Sequence, residues 1–264
     1  MAEARSYVHA IDWLWRAGLR FGGMIDLGCA DGSLSVMLAE QGPTRGAAIL
    51  NVDAQDDYRD SLATIQRTLG GHYRICAVGE NDGGSIELHL GEHPYWSSVR
   101  KPDDRYWAGV NDLRAAKPRR VPLRSLDGLV AETALPGPYL LKLDIQGAEA
   151  AALAGGRATL ARTDAVAVEI LVEDFGAIHE VLARNGFELF DLTEIKYGLS
   201  GALAWFYAVY VHSRHAALRP RQHWPAQYNE ANLDLQRERR EMAQNAIWAS
   251  LDRYRNGEWP PLPG

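Results

Sequence analysis

With 264 residues, 47% hydrophobic and 23% charged, the chain has the balance of a soluble globular protein built as one large domain or two small ones. Its 28 basic and 34 acidic residues give a formal net charge of -6, and its one dense charge run, Arg237-Glu238-Arg239-Arg240-Glu241, mixes signs, which argues against nucleic acid as a partner. Two cysteines, Cys29 and Cys76, are too few for a disulfide framework, no apolar core of signal-peptide length follows the first residues, and no stretch approaches the ~20 apolar residues of a membrane span, so a reducing cytoplasm is the expected setting.

Val8, Ile11, Trp15 and Leu19 recur at helical spacing and predict a helix over 5–18. A first strand follows over 23–27, then a helix over 32–40 that Gln41-Gly42-Pro43 stops. The second strand covers 47–53. A polar helix runs from there to Leu69, Gly70-Gly71 breaks it, and the third strand covers 73–78. Residues 85–90 alternate like a half-exposed strand, and 91–120 are polar and aromatic with little periodicity, the mark of a functional or mobile insertion. Ser125 or Asp127 caps the next helix. The fourth and fifth strands cover 139–144 and 165–171 with a helix over 148–160 between them; a helix over 178–185 closes at Gly186, and strands over 187–192 and 205–212 finish the pattern. Strands alternating with helices predict one parallel-type sheet covered on both faces, and the absence of a helix before the last strand makes that strand antiparallel. Beyond Arg219-Pro220, a long helix over 226–255 ends at Asn256-Gly257, so the expected organisation is a domain over 1–215, with its core at 20–213, and a helical extension over 216–264 that folds back or serves a homodimer.

Two segments carry the chemistry: Met24-Ile25-Asp26-Leu27-Gly28-Cys29-Ala30-Asp31-Gly32-Ser33 and Leu140-Leu141-Lys142-Leu143-Asp144-Ile145-Gln146-Gly147-Ala148-Glu149. Each reads as a strand that ends in an acid and turns through glycine into a helix, where a doubly wound sheet binds nucleotide-like ligands. The spacing Gly28-x-x-x-Gly32 is not the G-x-G-x-x-G that a pyrophosphate needs. A ligand with an adenosine but no phosphate, S-adenosylmethionine (SAM), fits better than NAD. Gly28 would let the turn pass against the ligand, the helix opening at Gly32 would offer amides to a carboxylate, Asp26 would order the loop or receive the ammonium, and Asp53 stands where a ribose-binding acid belongs. Lys142 breaks the apolar rule for a parallel strand. It shares a strand side with Asp144, with Glu149 at the next helix start and Glu169 on the fifth strand. Two readings stay open: an ion pair of Lys142 with Asp144 or Glu169 that only orders the sheet, or a cluster that takes a proton from an acceptor hydroxyl. A divalent cation on Asp144 and Glu149 is the weaker variant of the second. Asp144 is the candidate base, with Glu149 or a histidine as the alternative. His89 and His93 lie in the insertion, as do Tyr95, Trp96, Tyr106 and Trp107, which would suit stacking on sugar faces or a hydrophobic lid.

Asp26-Leu-Gly-Cys-Ala-Asp-Gly, Leu126-Asp127, Lys142-Leu-Asp144-Ile-Gln-Gly147-Ala-Glu149 and Leu153-Ala-Gly155 together resemble the FkbM family of SAM-dependent methyltransferases, over roughly residues 20–213. The strand-three end, Val78-Gly79-Glu80-Asn81-Asp82-Gly83, and Ser97-Ser98 share the resemblance; Asp53-Ala54-Gln55 departs from it where the family commonly carries Glu-Pro. The resemblance implies an α/β fold with the Rossmann-like seven-stranded class I methyltransferase sheet and SAM held by Asp26, Gly28, Ala30, Asp31, Gly32, Asp53, Val78, Gly79 and Asp144. It also implies methyl transfer to a hydroxyl of a sugar, polysaccharide or secondary metabolite, for which Lys142, Asp144, Glu149 and His93 are the catalytic candidates. The competing expectations are an N- or carboxyl-methyltransferase, and a non-catalytic SAM-binding module acting through its C-terminal helix. An NAD-dependent oxidoreductase is disfavoured by the glycine spacing.

Overall fold

The computed structural model describes residues 6–91, 97–100, 118–198, 201–218 and 256. The chain divides into two units, Met1–Leu218 and Arg219–Gly264. The helix expected over 226–255 lies outside the described residues, as do His93, Tyr95, Trp96, Tyr106 and Trp107.

In chain order the first unit contains α1 (Tyr7–Arg16), β1 (Gly23–Leu27), α2 (Ser33–Gln41), β2 (Ala48–Asp53), α3 (Arg59–Leu69), β3 (His72–Ile75), β4 (Ala77–Gly79), β5 (Ser85–His89) and β6 (Pro118–Ser125). It continues with α4 (Leu126–Thr133), β7 (Tyr139–Leu143), α5 (Glu149–Ala154), α6 (Arg157–Leu160), β8 (Thr163–Leu171), α7 (Phe175–Arg184), β9 (Phe187–Tyr197) and β10 (Leu203–His212). Seven strands form one sheet in the order β3-β2-β1-β7-β8-β10-β9. All neighbours are parallel except β10, which runs antiparallel to both β8 and β9. This is the Rossmann-like class I methyltransferase sheet, with the antiparallel final strand that the missing helix foretold.

Alternation along the central strands builds a core on each face. Ile25, Leu141 and Val166 pack with Leu126, Leu129 and Leu153 of α4 and α5 on one side. Met24, Leu140 and Ala165 pack with Ile11 and Leu14 of α1 and Leu38 of α2 on the other. The α1 start is set by Ser6, whose side chain accepts from the His9 amide while the His9 ring takes the Ser6 amide in return.

Three expectations are corrected. The strand expected over 73–78 is two strands: β3 belongs to the large sheet, and β4 turns off into a small sheet ordered β4-β6-β5. The second is β6 itself, whose first residues fall in the stretch read as an insertion with little periodicity and which carries Pro118 and Pro122. It is possible because β6 is paired on one side at a time, to β5 over 118–122 and to β4 over 123–125, so the prolines face no ladder partner on their other side. The third is the helix over 148–160, which breaks into α5 and α6 at Gly155-Gly156. A side chain on Gly155 would meet the Gly79 carbonyl oxygen at 2.4 Å, and the Gly155 carbonyl accepts the Asp127 amide. Among the described residues, no helix is long and apolar enough to cross a membrane.

Candidate active site

Parallel pairing of β1 with β2 on one side and β7 on the other brings three carboxyl strand ends together, with Asp26 in register with both Asn51 and Lys142. A cleft of about 670 Å3, counting space open to solvent, lies over them. Its apolar walls come from Val52, Ala77, Val78, Leu88, Val99 and Ile145, and its polar groups from Asp53, Gln55, Ser97, Asp144 and Gln146. Apolar walls with a few convergent polar groups are the character of a small-molecule site.

The two acids in the cleft are held differently. Asp53 Oδ2 accepts from the Ala30 amide and Oδ1 from the Gln55 amide, both at 2.8 Å, which leaves lone pairs on each oxygen for ligand hydroxyls. Burial raises its pKa against those amides. Asp144 Oδ1 accepts from Gln146 Nε2 at 2.8 Å and Oδ2 accepts the Tyr207 hydroxyl, while Lys142 Nζ lies 3.7 Å away. Burial works against the Asp144 carboxylate, but Lys142 and these donors outweigh it and lower its pKa.

Lys142 does not face the cleft. Its ammonium, 6% exposed, donates to the Gly28 carbonyl at 2.8 Å and pairs with Asp26 Oδ1 at 3.2 Å, so it ties the first loop to the second strand end. Of the ion pairs expected, the one with Asp144 forms at 3.7 Å, and the nearer partner is Asp26. Gly28 has φ +73, and a side chain there would strike the Asp144 carbonyl oxygen at 1.8 Å. Gly28 therefore permits contact with the β7 end as well as lining the cleft.

The other expected cofactor residues separate by position. Ala30 and Val78 line the cleft; Asp31, Gly32 and Gly79 are not among its lining residues. Gly32 packs towards Ile65 and Leu62 of α3, and two amides at the α2 start are used internally, Gly32 by the Cys29 carbonyl and Ser33 by Asp31 Oδ1. Glu149 accepts the Ile145 and Gly147 amides on its two oxygens, both at 2.9 Å, and fixes the turn that presents Gln146. Burial, helped by the Asp144 charge, pushes its pKa up to about 7. Both Glu149 oxygens are thus engaged by the backbone of its own turn, and Glu149 is not among the residues that line the cleft. His89 is buried at the end of β5 and pairs through its backbone with Ser98, away from the solvated loop expected for it.

The insertion reaches the site through Ser97 and Ser98, which the sequence reading used only as resemblance, and through Arg100, which it did not single out. Ser98 Oγ donates to the Gln146 carbonyl at 2.6 Å, and Arg100 Nε donates to that of Gly147 at 3.1 Å. Ser97 Oγ, on the cleft wall, is buried without a hydrogen-bond partner and so offers an unmet polar atom to a ligand. Tyr207 went unnoticed because it lies in the last, antiparallel strand; its one signal was a hydroxyl within an apolar run. Apolar walls for a purine, Asp53 for a ribose and the free Ser97 hydroxyl fit an adenosine-bearing ligand without phosphate.

The Methyltransferase FkbM domain matches residues 38–189, more than half of the 264-residue chain. The 2-O-methyltransferase NoeI of Sinorhizobium fredii is 28% identical over 150 residues, a match that covers 53% of this chain and 59% of that protein. Among solved structures, the methyltransferase FkbM of Methylobacillus flagellatus aligns with a TM-score of 0.46 and 17% identity over 74% of this chain and 45% of its own. An rRNA methylase of Streptococcus thermophilus aligns with a TM-score of 0.43 and 12% identity over 80% and 99%. The extent of the domain match carries the assignment: this chain belongs to the FkbM methyltransferase family.

Proposed function

We propose that the chain is a SAM-dependent O-methyltransferase that acts on a hydroxyl of a sugar, glycan or other small molecule. The observation that carries this reading is one cleft, at the carboxyl ends of β1, β2 and β7, that presents two acids with different surroundings, Asp53 and Asp144. Asp53 would hold the ribose hydroxyls, the walls of Val52, Val78 and Leu88 the adenine, and the Gly28–Ala30 backbone would border the amino-acid end. Bound there, SAM supplies a methyl group made electrophilic by its sulfonium. The protein's part is positioning plus a base for an alcohol of high pKa. Asp144, kept ionised by Lys142, Tyr207 and Gln146, has lone pairs left to receive the hydroxyl proton as the acceptor oxygen bonds to carbon. Lys142 and Glu149 hold the two loops around it. The NoeI relative, named as a 2-O-methyltransferase, supports oxygen as the acceptor atom.

Calorimetric titration with SAM, S-adenosylhomocysteine (SAH) and NAD tests the cofactor. Micromolar binding of the first two, absent for NAD and weakened at least tenfold by Asp53→Ala, is expected. A panel of sugars, amines and carboxylic acids with methyl-tritiated SAM then tests the acceptor: label in an alkali-stable ether supports the reading, and label in an amine or an alkali-labile ester replaces it. A folded protein that binds no SAM refutes it outright.

A further inference from the structure

At and behind the Asp144 wall of the cleft, acids outnumber bases. Asp26 on β1, Lys142 on β7, Asp144 at the β7 end and Glu169 on β8 form a chain of ionisable groups across neighbouring strands, and Lys142 is the single cation of the four. Lys142 and Asp26 balance each other at 3.2 Å, which leaves Asp144 and Glu169. Gln146 Nε2 donates to both, at 2.8 Å to Asp144 and 2.6 Å to Glu169. Two carboxyls drawn to one amide donor at a buried site repel each other when both are ionised, so the pair favours holding a proton.

The partners decide which group is neutral. Asp144 receives the Tyr207 hydroxyl and has Lys142 at 3.7 Å, whereas Glu169 is 8% exposed, stands in register with Tyr207 on β10 and forms no ion pair among the described residues. Tyr7 of α1 stacks on Tyr207 with ring centroids 4.2 Å apart and an interplanar angle of 20°, which fixes the donor's ring. Protonation follows the same direction: burial and then the Asp144 charge raise Glu169, while Lys142 and Tyr207 overcome burial to lower Asp144. Among the described residues, the other charges that bear on the cluster are Asp53 from β2, felt by Lys142 and Asp26, Glu149 from α5, felt at Glu169, and Glu194 from β9, felt at Tyr7. Glu149 is tied to two backbone amides.

We propose that this cluster presents one negative charge, kept on Asp144 by Tyr207 and Glu169 as positioning residues, and that this charge is how the cleft distinguishes the cationic sulfonium of SAM from the neutral thioether of SAH. The proposal rests on the SAM-dependent reading above and adds to it a reason for product release: the attraction ends when the sulfonium charge is gone.

The test needs no acceptor. The affinities of the full chain for SAM and for SAH are measured by calorimetry at pH 5, 7 and 9, with folding of each variant checked by circular dichroism. The wild type should favour SAM roughly tenfold at pH 7, and by several-fold more at pH 9 as Glu169 ionises. Asp144→Asn should bring the ratio near one at pH 5, with any recovery at higher pH following the ionisation of Glu169. Glu169→Gln should remove the alkaline rise. Tyr207→Phe, having lost a donor to the carboxylate, should raise the pH at which Asp144 protonates by about one unit and lower the ratio at pH 5. A merely structural tyrosine would instead weaken both ligands equally at all three pH values. That result, a wild-type ratio near one, or an Asp144→Asn ratio equal to wild type overturns the proposal and leaves the SAM reading standing. Folded protein that binds neither nucleoside overturns both.

Discussion

Replacing Lys142 with methionine removes a charge while keeping an unbranched chain of similar length. In the structure Lys142 Nζ serves the Gly28 carbonyl at 2.8 Å, Asp26 at 3.2 Å and Asp144 at 3.7 Å. Asp26 is fully buried, and no donor reaches either of its oxygens with full hydrogen-bond geometry, so the ion pair is what offsets its charge. Removing one partner of such a pair costs about 3–5 kcal/mol, because the other is left charged in the interior. At about 2–4 °C per kcal/mol for a domain of this size, the melting temperature should fall by roughly 6–20 °C. Asp26 has one escape, which is to take up a proton. Burial already raises its pKa against the pull of Lys142, and without Lys142 it rises further. The folded variant then binds a proton that the unfolded chain releases above about pH 4, so its stability falls as pH rises through that window. The wild type has no matching loss from Lys142: burial alone would lower this amine's pKa, but Asp26 and Asp144 raise it, and the stabilisation persists at every pH below the unfolded value of about 10.4. The deficit of Lys142→Met against wild type should therefore be smaller at pH 5 than at pH 8, and Asp26→Asn added to it should recover more than half. Urea unfolding followed by tryptophan fluorescence, with both midpoint and slope compared, measures this. A variant within about 1 kcal/mol of wild type, or a deficit equal at both pH values and untouched by Asp26→Asn, refutes the reasoning.

Gly28→Ala should cost about 2–5 kcal/mol, a left-handed backbone for alanine plus a Cβ that would lie 1.8 Å from the Asp144 carbonyl oxygen, and should weaken SAH binding because Asp144 must shift; urea midpoints and calorimetry report the two effects. Glu149, raised from 4.5 to about 7 by burial, makes the wild type lose up to about 3 kcal/mol as pH rises between those values, at about 1.4 kcal/mol per unit. Glu149→Gln lacks that loss, so its deficit should narrow by as much between pH 4.5 and 8 in parallel urea titrations; a constant deficit would show that the carboxyl is not buried in this way. Ser98→Ala leaves the Gln146 carbonyl and the Arg100 amide unmet and should cost about 1–3 kcal/mol, with faster hydrogen exchange at Ser98–Arg100 as its local signature.

Most of the sheet was legible because its parallel strands are apolar on both faces and the helices between them are closed by glycine, as at Gly42 and Gly186. The elements that escaped are those in which local rules yield to pairing. In β6, prolines that argue against a strand are tolerated because they face no ladder on one side. At Gly155-Gly156 a run of helix formers gives way to a close backbone approach by Gly79, a contact between segments far apart in the chain. The site was legible to the same degree. Asp53 and Asp144 were readable from strand ends alone, since position at a carboxyl edge is a property of topology. The Asp26 partner of Lys142, the Tyr207 donor and the stacking of Tyr7 depend on side chains from β1, β10 and α1 that converge only after folding.

Four acids at or beside strand ends drew attention in the sequence, and their surroundings sort them into two kinds of work. Asp26 and Glu149 are almost wholly buried: the first is neutralised by Lys142, the second takes two amides of its own turn, and neither lines the cleft. They shape loops. Asp53 and Asp144 line the cleft, and each keeps unused lone pairs after its internal partners are counted. Each ligand-facing acid thus leans on a loop-shaping one, Asp144 through the Gln146 turn that Glu149 fixes and Asp53 through Ala30 in the loop that Asp26 and Lys142 secure. Substituting a loop-shaping acid should therefore reach ligand affinity only by way of stability, so that nucleoside affinity and unfolding midpoint fall together. Substituting a cleft acid should separate the two, lowering affinity while the midpoint changes little. Plotting SAM affinity against urea midpoint for Asp26→Asn, Glu149→Gln, Asp53→Asn and Asp144→Asn puts that division to the test. A loop-shaping variant that loses affinity at an unchanged midpoint would move its acid into the binding site.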